Sequence, residues 1–198
     1  MNYYDKIPKE FEKSIILVQS MIHLNDPYTS FHHDDTVKLT LKIARKLNLE
    51  EDRLPKLIAA AALHDIGKQG IPSTILSKPT RLSEHEFNLV KEHVNLGVDL
   101  LRKIDFDDDV IRFVSEHHEK LDGSGYPNGL IAGQISFEGQ ILAVADIVSA
   151  LTSKRTYRNP TPHEKVIEIL LSDTPHKLNE DAVAAAIEIL KHDYWSAE

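Results

Sequence analysis

Apolar residues recur at spacings of three and four through most of this chain, and that period confines it to packed helices. Residues 9–24 place Phe11, Ile15, Val18 and Ile22 on one stripe, and residues 31–47 repeat it with Val37, Leu41 and Ala44. Leu54, Leu57, Ile58 and Ala61 form the next stripe. Ser83-x-x-Glu86 reads as a capping box, which predicts a helix through about Arg102 with Val90, Val94, Gly97 and Leu101 on one side. Val110, Ile111 and Val114 carry another helix towards His117, and residues 136–153 contain the apolar run ILAVADIVSAL. Thr161-Pro162-x-Glu164 predicts a helix with proline at its first position, and Asn179 a cap for a last helix through Leu190. No segment alternates as a strand does, and no repeat or low-complexity linker divides the chain. The expectation is an all-α bundle, one domain over residues 1–198 that begins with a helix at about 9–24.

Two stretches break the period, residues 66–80 (IGKQGIPSTILSKPT) and 119–134 (EKLDGSGYPNGLIAGQ), and the second holds four of the eight glycines. Loops of that length inside a compact domain are usually functional or disordered. The net charge of −8 disfavours polymeric nucleic acid as a partner, and a small anionic ligand needs local cations or metal ions to offset that field. The absence of cysteine excludes disulfides, thiolate zinc sites and cysteine nucleophiles, and fits a reducing cytoplasm. The opening MNYYDKIPKEFEK carries early acids and no apolar core of signal-peptide length. No apolar run approaches the roughly 20 residues that cross a bilayer. A cytoplasmic chain with no membrane insertion is expected.

The chain has 11 histidines, and six of them (His32, His33, His64, His93, His117 and His118) fall in its central part. His64 and Asp65 continue the stripe of Leu54, Leu57, Ile58 and Ala61, so a histidine and an acid stand at interior positions. A buried carboxylate needs a cation or strong hydrogen bonds. Asp146 is the one charged residue in the apolar run 141–151. His93 lies on the stripe Leu89, His93, Leu96 and Leu100, which reads as facing inward. His117 and His118 extend the stripe of Val110, Ile111 and Val114, and His32 opens the second helix after Thr29 and Ser30. Each histidine alone reads equally well as a packed or surface residue. Together, on five helices, they read as a metal site of the kind that helical bundles build in their cores. Imidazole and carboxylate donors without thiolate suit iron, manganese, nickel or zinc. A shared carboxylate favours a pair of ions, and such pairs activate water and clamp phosphoryl oxygens.

HDIGK at 64–68 continues into GIP at 70–72 and ILSKP at 75–79, followed by HHEKLDGSGYPNGL at 117–130 and ADIVSALTSKRTYR at 145–158. In these motifs, and over about residues 26–190, the chain resembles the HD-GYP family, the branch of the HD phosphohydrolases that hydrolyses cyclic di-GMP. The resemblance implies an HD-domain helical bundle with a metal centre in its core. It also implies metal-dependent cleavage of cyclic di-GMP to pGpG or onward to GMP. By position it implies that His32, His64, Asp65 and Asp146 hold one divalent ion. Asp65 then bridges to a second, held also by His93, His117 and His118, with iron or manganese the expected metals and nickel or zinc also suited. Lys68 resembles the lysine that meets the scissile phosphate, and Asp65 and Lys68 are the expected catalytic pair. Arg155 and Arg158 match cations that hold the ligand, with arginine at 158 where many members have lysine. Asp122, Gly123, Gly125, Tyr126 and Pro127 form the GYP loop, where Tyr126 reads as structural or as a surface for a protein partner. Gly123, Gly125 and Gly129 shape the loop, because glycine alone adopts positive φ cheaply.

Three departures qualify the resemblance. Tyr28 stands where members with a third metal carry a glutamate, which favours two ions. Ser149 replaces an acid common in the 145–151 stretch, and His33 beside His32 leaves a one-residue ambiguity that the spacing to Ala44 and Leu47 resolves towards His32. Two alternatives remain open: hydrolysis of another cyclic dinucleotide such as 3′,3′-cyclic GMP-AMP, and a module that binds a cyclic dinucleotide or a partner without catalysis.

Overall fold

The computed structural model describes residues 15, 16, 18 and 20, 27–153 and 159–192, with side chains described from residue 34 within the first long helix. Its described helices are α1 (Pro27–Lys46), α2 (Leu54–Leu63), α3 (Ser73–Leu76), α4 (Glu84–Lys91), α5 (His93–Lys103), α6 (Asp108–Glu116), α7 (Phe137–Thr152), α8 (His163–Asp173) and α9 (Glu180–His192). A 3₁₀ turn, Ile66–Gly70, lies between α2 and α3. The all-α expectation holds. Among the described residues there is no strand, only one isolated antiparallel bridge between Asp122 and Ile131. No helix among them is long and apolar enough to cross a membrane. Of the helix expected at 9–24, residues 15, 16, 18 and 20 are described; they are helical, and Ile15 is fully buried.

The apolar periods do the packing. α7 lies against α1, α6 and α9, and α2 against α1 and α6. Leu57, Ile58, Ile141 and Leu142 are fully buried in the one core these helices share. Each such side chain contributes roughly 1.5–3 kcal/mol relative to leaving it in water. The fully buried Glu138 forms an ion pair with Arg53, which ties the start of α7 to the start of α2.

Several local readings change. The capping box forms: Glu86 N–H donates to Ser83 Oγ (3.3 Å) and Ser83 N–H to Glu86 Oε2 (2.7 Å). The helix it opens does not run to Arg102, because it breaks at Glu92, whose N–H turns back to Leu89 O at 3.2 Å in a tighter turn. The stripe read through Val90, Val94, Gly97 and Leu101 continues across the break, with Val90 half-buried and the other three buried. The buried face of α5 is His93, Val94, Gly97, Val98 and Leu101, whereas Leu89, Leu96 and Leu100 are about 40% exposed, so the inward stripe drawn through His93 holds for His93 alone. Residues 66–80 are not an open loop but the 3₁₀ turn followed by α3. Pro162 caps α8 rather than beginning it. Asn179 caps α9 through Ala182 N–H at 2.9 Å, as read.

The 3₁₀ turn rests directly on α5. A Cβ added at Gly67 would stand 1.8 Å from His93 O and 2.5 Å from Gly97 N, both backbone atoms that cannot step aside singly. Gly67→Ala therefore separates the turn from α5, and the expected loss is about 2–3 kcal/mol, read as a lower urea midpoint. A midpoint equal to that of the parent chain would mean that the turn and α5 are not in fixed contact.

Candidate metal centre

The site forms where helices end. His64 caps the C-terminus of α2, Asp65 follows it into the 3₁₀ turn, His93 begins α5, and His117 caps the C-terminus of α6. Helix C-termini carry partial negative charge, so two of them here favour a cation. α7 brings Asp146, which is 7% exposed, from the opposite wall.

Three of the histidines are oriented in the same way. His64 Nδ1 donates to Ala61 O at 2.8 Å, His93 Nδ1 to Val90 O at 2.6 Å, and His117 Nδ1 to Val114 O at 2.6 Å. A carbonyl can only accept, so Nδ1 carries the hydrogen and Nε2 is left to the interior. His64 Nε2 lies 3.4 Å from Asp65 Oδ2 and 3.4 Å from Asp146 Oδ1, and His93 Nε2 lies 3.4 Å from Asp65 Oδ1. The two oxygens of Asp65 thus face different histidines. His118 Nδ1 is 3.9 Å from Asp146 Oδ2, and its ring centroid is 4.0 Å from that of His117 and 5.2 Å from that of His93. One candidate donor atom from each of His93, His117 and His118 lies within 4.8 Å of the others.

These residues fit a metal. His93 Nε2 and His117 Nε2 face each other at 3.4 Å. With both hydrogens placed on Nδ1, this is lone pair against lone pair, an arrangement that a cation between them relieves. Donation of the second ring nitrogen to a backbone carbonyl is the usual support for a metal-binding imidazole. The electrostatics agree. Burial lowers the pKa of His93, and that of His117 well below the usual value, and brings His118 to about 3, so all three are neutral donors. Burial also works against charge on His64 and Asp65, but there the neighbours win. Asp65 and Asp146 raise His64 to about 10, and Lys68 with His64 and His93 holds Asp65 well below the carboxylate range. The centre therefore combines neutral imidazoles with two acids that demand positive charge.

Lys68 Nζ lies 2.5 Å from Asp65 Oδ2 and is partly exposed, so the lysine expected at the phosphate is held beside the acid. The backbone of His32 lies in α1, but its side chain is outside the described residues, as are Arg155 and Arg158 altogether.

Sequence reasoning missed two glutamates that set this geometry. Glu119 is buried, and its carboxylate accepts from Asn128 N–H (2.7 Å) and Leu130 N–H (3.0 Å), folding the GYP loop back on itself. The loop closes over the chain at Gly125, where a Cβ would stand 2.4 Å from Glu119 Cα, so close approach and not φ requires that glycine. Gly123 and Gly129 do have positive φ, 78° and 64°. Asp122 Oδ1 accepts from Ser124 N–H at 2.9 Å, and Tyr126, just before Pro127, lays its ring 4.7 Å from that of His118. Glu116, next to His117, accepts from Arg112 Nε at 2.8 Å and from Ser136 N–H at 2.9 Å, joining the end of α6 to the cap of α7. Neither contact has a signal in periodicity. Only the adjacency of each glutamate to a histidine of the pair 117–118 pointed towards them.

Helix ends that deliver imidazoles and Asp65, with Asp146 from within α7, define a helical domain built around a candidate metal centre. The chain matches the HD domain family over residues 17–180 and belongs to it, in its HD-GYP branch. It is 34% identical over 177 residues to the 3′3′-cGAMP-specific phosphodiesterase 3 of Vibrio cholerae, covering 88% of this chain and 38% of that protein. It is 33% identical over 190 residues to a cyclic di-GMP phosphodiesterase of Thermotoga maritima, covering 92% and 51% respectively. The chain thus spans about half or less of the length of these relatives. The HDG"Y"P protein Bd1817 of Bdellovibrio bacteriovorus shares the fold, with a TM-score of 0.69 at 23% identity over 81% of this chain and 51% of that one.

The shifted histidines give a pH dependence to the protein stripped of metal by a chelator. His93, His117 and His118 bind protons less readily folded than unfolded, so their neutral burial loses stability as pH falls below the usual value of 6.5. His64 does the reverse: its contribution is full below 6.5 and is lost as pH rises through about 10. Denaturant midpoints of the stripped protein should peak near neutrality and fall on both sides. A steady rise from pH 5 to 10 contradicts the assignment.

Proposed function

We propose that this chain is a metal-dependent phosphodiesterase of cyclic dinucleotides, with cyclic di-GMP as its substrate and pGpG, or onward GMP, as its product. The observation that carries this is the convergence of His64 and His93 through Nε2 on Asp65 and Asp146, with His117 Nε2 facing that of His93 and Lys68 alongside. Relatives named for cyclic di-GMP and for cGAMP hydrolysis support it. In this reading Asp65 would be shared by two divalent ions, iron or manganese. His32, His64 and Asp146 would hold one with it, and His93, His117 and His118 the other. Tyr28, in place of a glutamate, supports two ions rather than three. Bound ions would supply Lewis acidity and lower the pKa of water.

The remaining chemistry belongs to the chain. Lys68 leaves Asp65 for the scissile phosphate and stabilises the charge that builds on its oxygens. The same lysine shields Asp65 until substrate arrives. Arg155 and Arg158 hold the ligand's phosphates or bases. Residues 1–198 are read as one HD-GYP domain working in the cytoplasm, and the exposed tip of the GYP loop is available to a protein partner. A second reading, cleavage of 3′,3′-cyclic GMP-AMP, is favoured by the near-equal identity to relatives of both names, 34% and 33%.

Turnover of both dinucleotides by protein loaded anaerobically with Fe(II) or Mn(II) decides between them. Faster cleavage of cyclic di-GMP supports the first reading, and faster cleavage of cyclic GMP-AMP the second. Bound metal without hydrolysis of either leaves a binding module. Asp65→Ala should lose metal pairing and activity together. Lys68→Ala should keep the metal content and lose about 10²–10³-fold in rate. Retention of both ions by Asp65→Ala would falsify the bridge.

A further inference from the structure

An aromatic ladder leads outward from the metal centre. The ring of His118 meets that of Tyr126, with centroids 4.7 Å apart and planes inclined by 33°. Lys91 Nζ lies over Tyr126, 5.5 Å from its centroid, and over Phe87, 4.9 Å from its centroid. Phe87 and Lys91 are four residues apart on α4, so they share one face of that helix. No residue of α4 is buried. Phe87 itself is 46% exposed and stands outside the hydrophobic core. A single exposed apolar side chain is unremarkable on a protein surface. This one is joined through a cation and a second aromatic ring to a histidine of the centre, and its position is fixed by the capping box and by the Lys78–Glu86 ion pair at 2.7 Å.

We infer that Phe87 and Lys91 form a nucleobase subsite at the rim of the centre, with Phe87 the platform for one purine of a cyclic dinucleotide and Lys91 the counter-charge for its phosphate backbone. An exposed ring stacks any base, because every base has a π face. The ammonium between Phe87 and Tyr126 places positive charge beside that face, which an acidic chain needs in order to receive an anionic ligand. The subsite sits on α4 and the GYP loop, elements distinct from the 3₁₀ turn that carries Lys68. One nucleotide can therefore be held on the ladder while the scissile diester lies over the two carboxylates. Stacking does not distinguish guanine from adenine, so the platform serves either cyclic dinucleotide. This inference rests on the phosphodiesterase reading.

The test compares the parent chain, Phe87→Ala and Phe87→Trp on cyclic di-GMP and on bis(p-nitrophenyl) phosphate, a diester without bases. The ratio of kcat/KM for the dinucleotide to that for the base-free diester should fall about tenfold in Phe87→Ala, through KM rather than kcat, and return in Phe87→Trp. Lys91→Met should lower the same ratio and weaken its dependence on salt. A ratio unchanged in Phe87→Ala, or a proportional loss on both substrates, overturns the subsite. If the parent chain cleaves no cyclic dinucleotide, the phosphodiesterase reading fails separately, and the subsite is judged on the Kd of cyclic di-GMP. A tenfold weakening in Phe87→Ala sustains it, while equal Kd values, or no binding to the parent chain, end it.

Discussion

A carboxylate buried at the end of an apolar helix has to be answered by positive charge, and much of the molecule around Asp65 is arranged to supply it. α2 is apolar apart from Lys56 and delivers His64 and Asp65 into the interior at its end. Lys68 reaches back one turn of 3₁₀ helix, His93 approaches from the start of α5, and His64 is pulled towards protonation between two acids. The tight seat of Gly67 on α5 follows from the same demand, because only a backbone without a side chain brings the turn and His93 close enough. Replacing this set with apolar residues would remove the desolvation problem altogether. Its presence in a core that is otherwise well packed argues that the charge is kept for chemistry and not for stability.

The geometry is held by backbone hydrogen bonds to side chains far apart in sequence. Glu116 fastens the end of α6 to the start of α7, so the elements carrying His117 and Asp146 are fixed relative to each other. Glu119 performs the same task for the GYP loop, and the loop returns Tyr126 to the face of His118. His118 has no donation to an i−3 carbonyl among the described contacts, unlike His64, His93 and His117. The ring of Tyr126 packs against it instead.

The sequence made the fold legible because each helix buries a stripe whose period is 3.6, and the centre legible because Asp65 and Asp146 interrupt such stripes. Exposure on the flank of α4 and α5 leaves no such mark: Val94, Gly97 and Leu101 are buried with His93 as their stripe predicts, whereas the equally apolar Leu89, Leu96 and Leu100 are about 40% exposed. Glu116 and Glu119 were invisible because a buried glutamate pairing with backbone N–H groups 9 to 20 residues away leaves no periodic trace. Gly125 was assigned to positive φ, the common reason for a loop glycine, whereas contact with the chain beneath it is what excludes a side chain.

The net charge of −8 at first opposes an anionic substrate, and the arrangement of cations resolves the conflict locally. Near the centre the acids are spent: Asp65 on Lys68 and the histidines, Asp146 on His64 and His118, Glu116 and Glu119 on backbone donors. Lys68, beside Asp65, and Lys91, over Tyr126, bring cations to the centre from separate elements. Interactions between exposed charges more than about 8 Å apart are largely screened at physiological salt. The distant surface acids therefore weigh little against cations at the centre itself. An acidic chain and a centre able to receive a small anion are compatible for that reason.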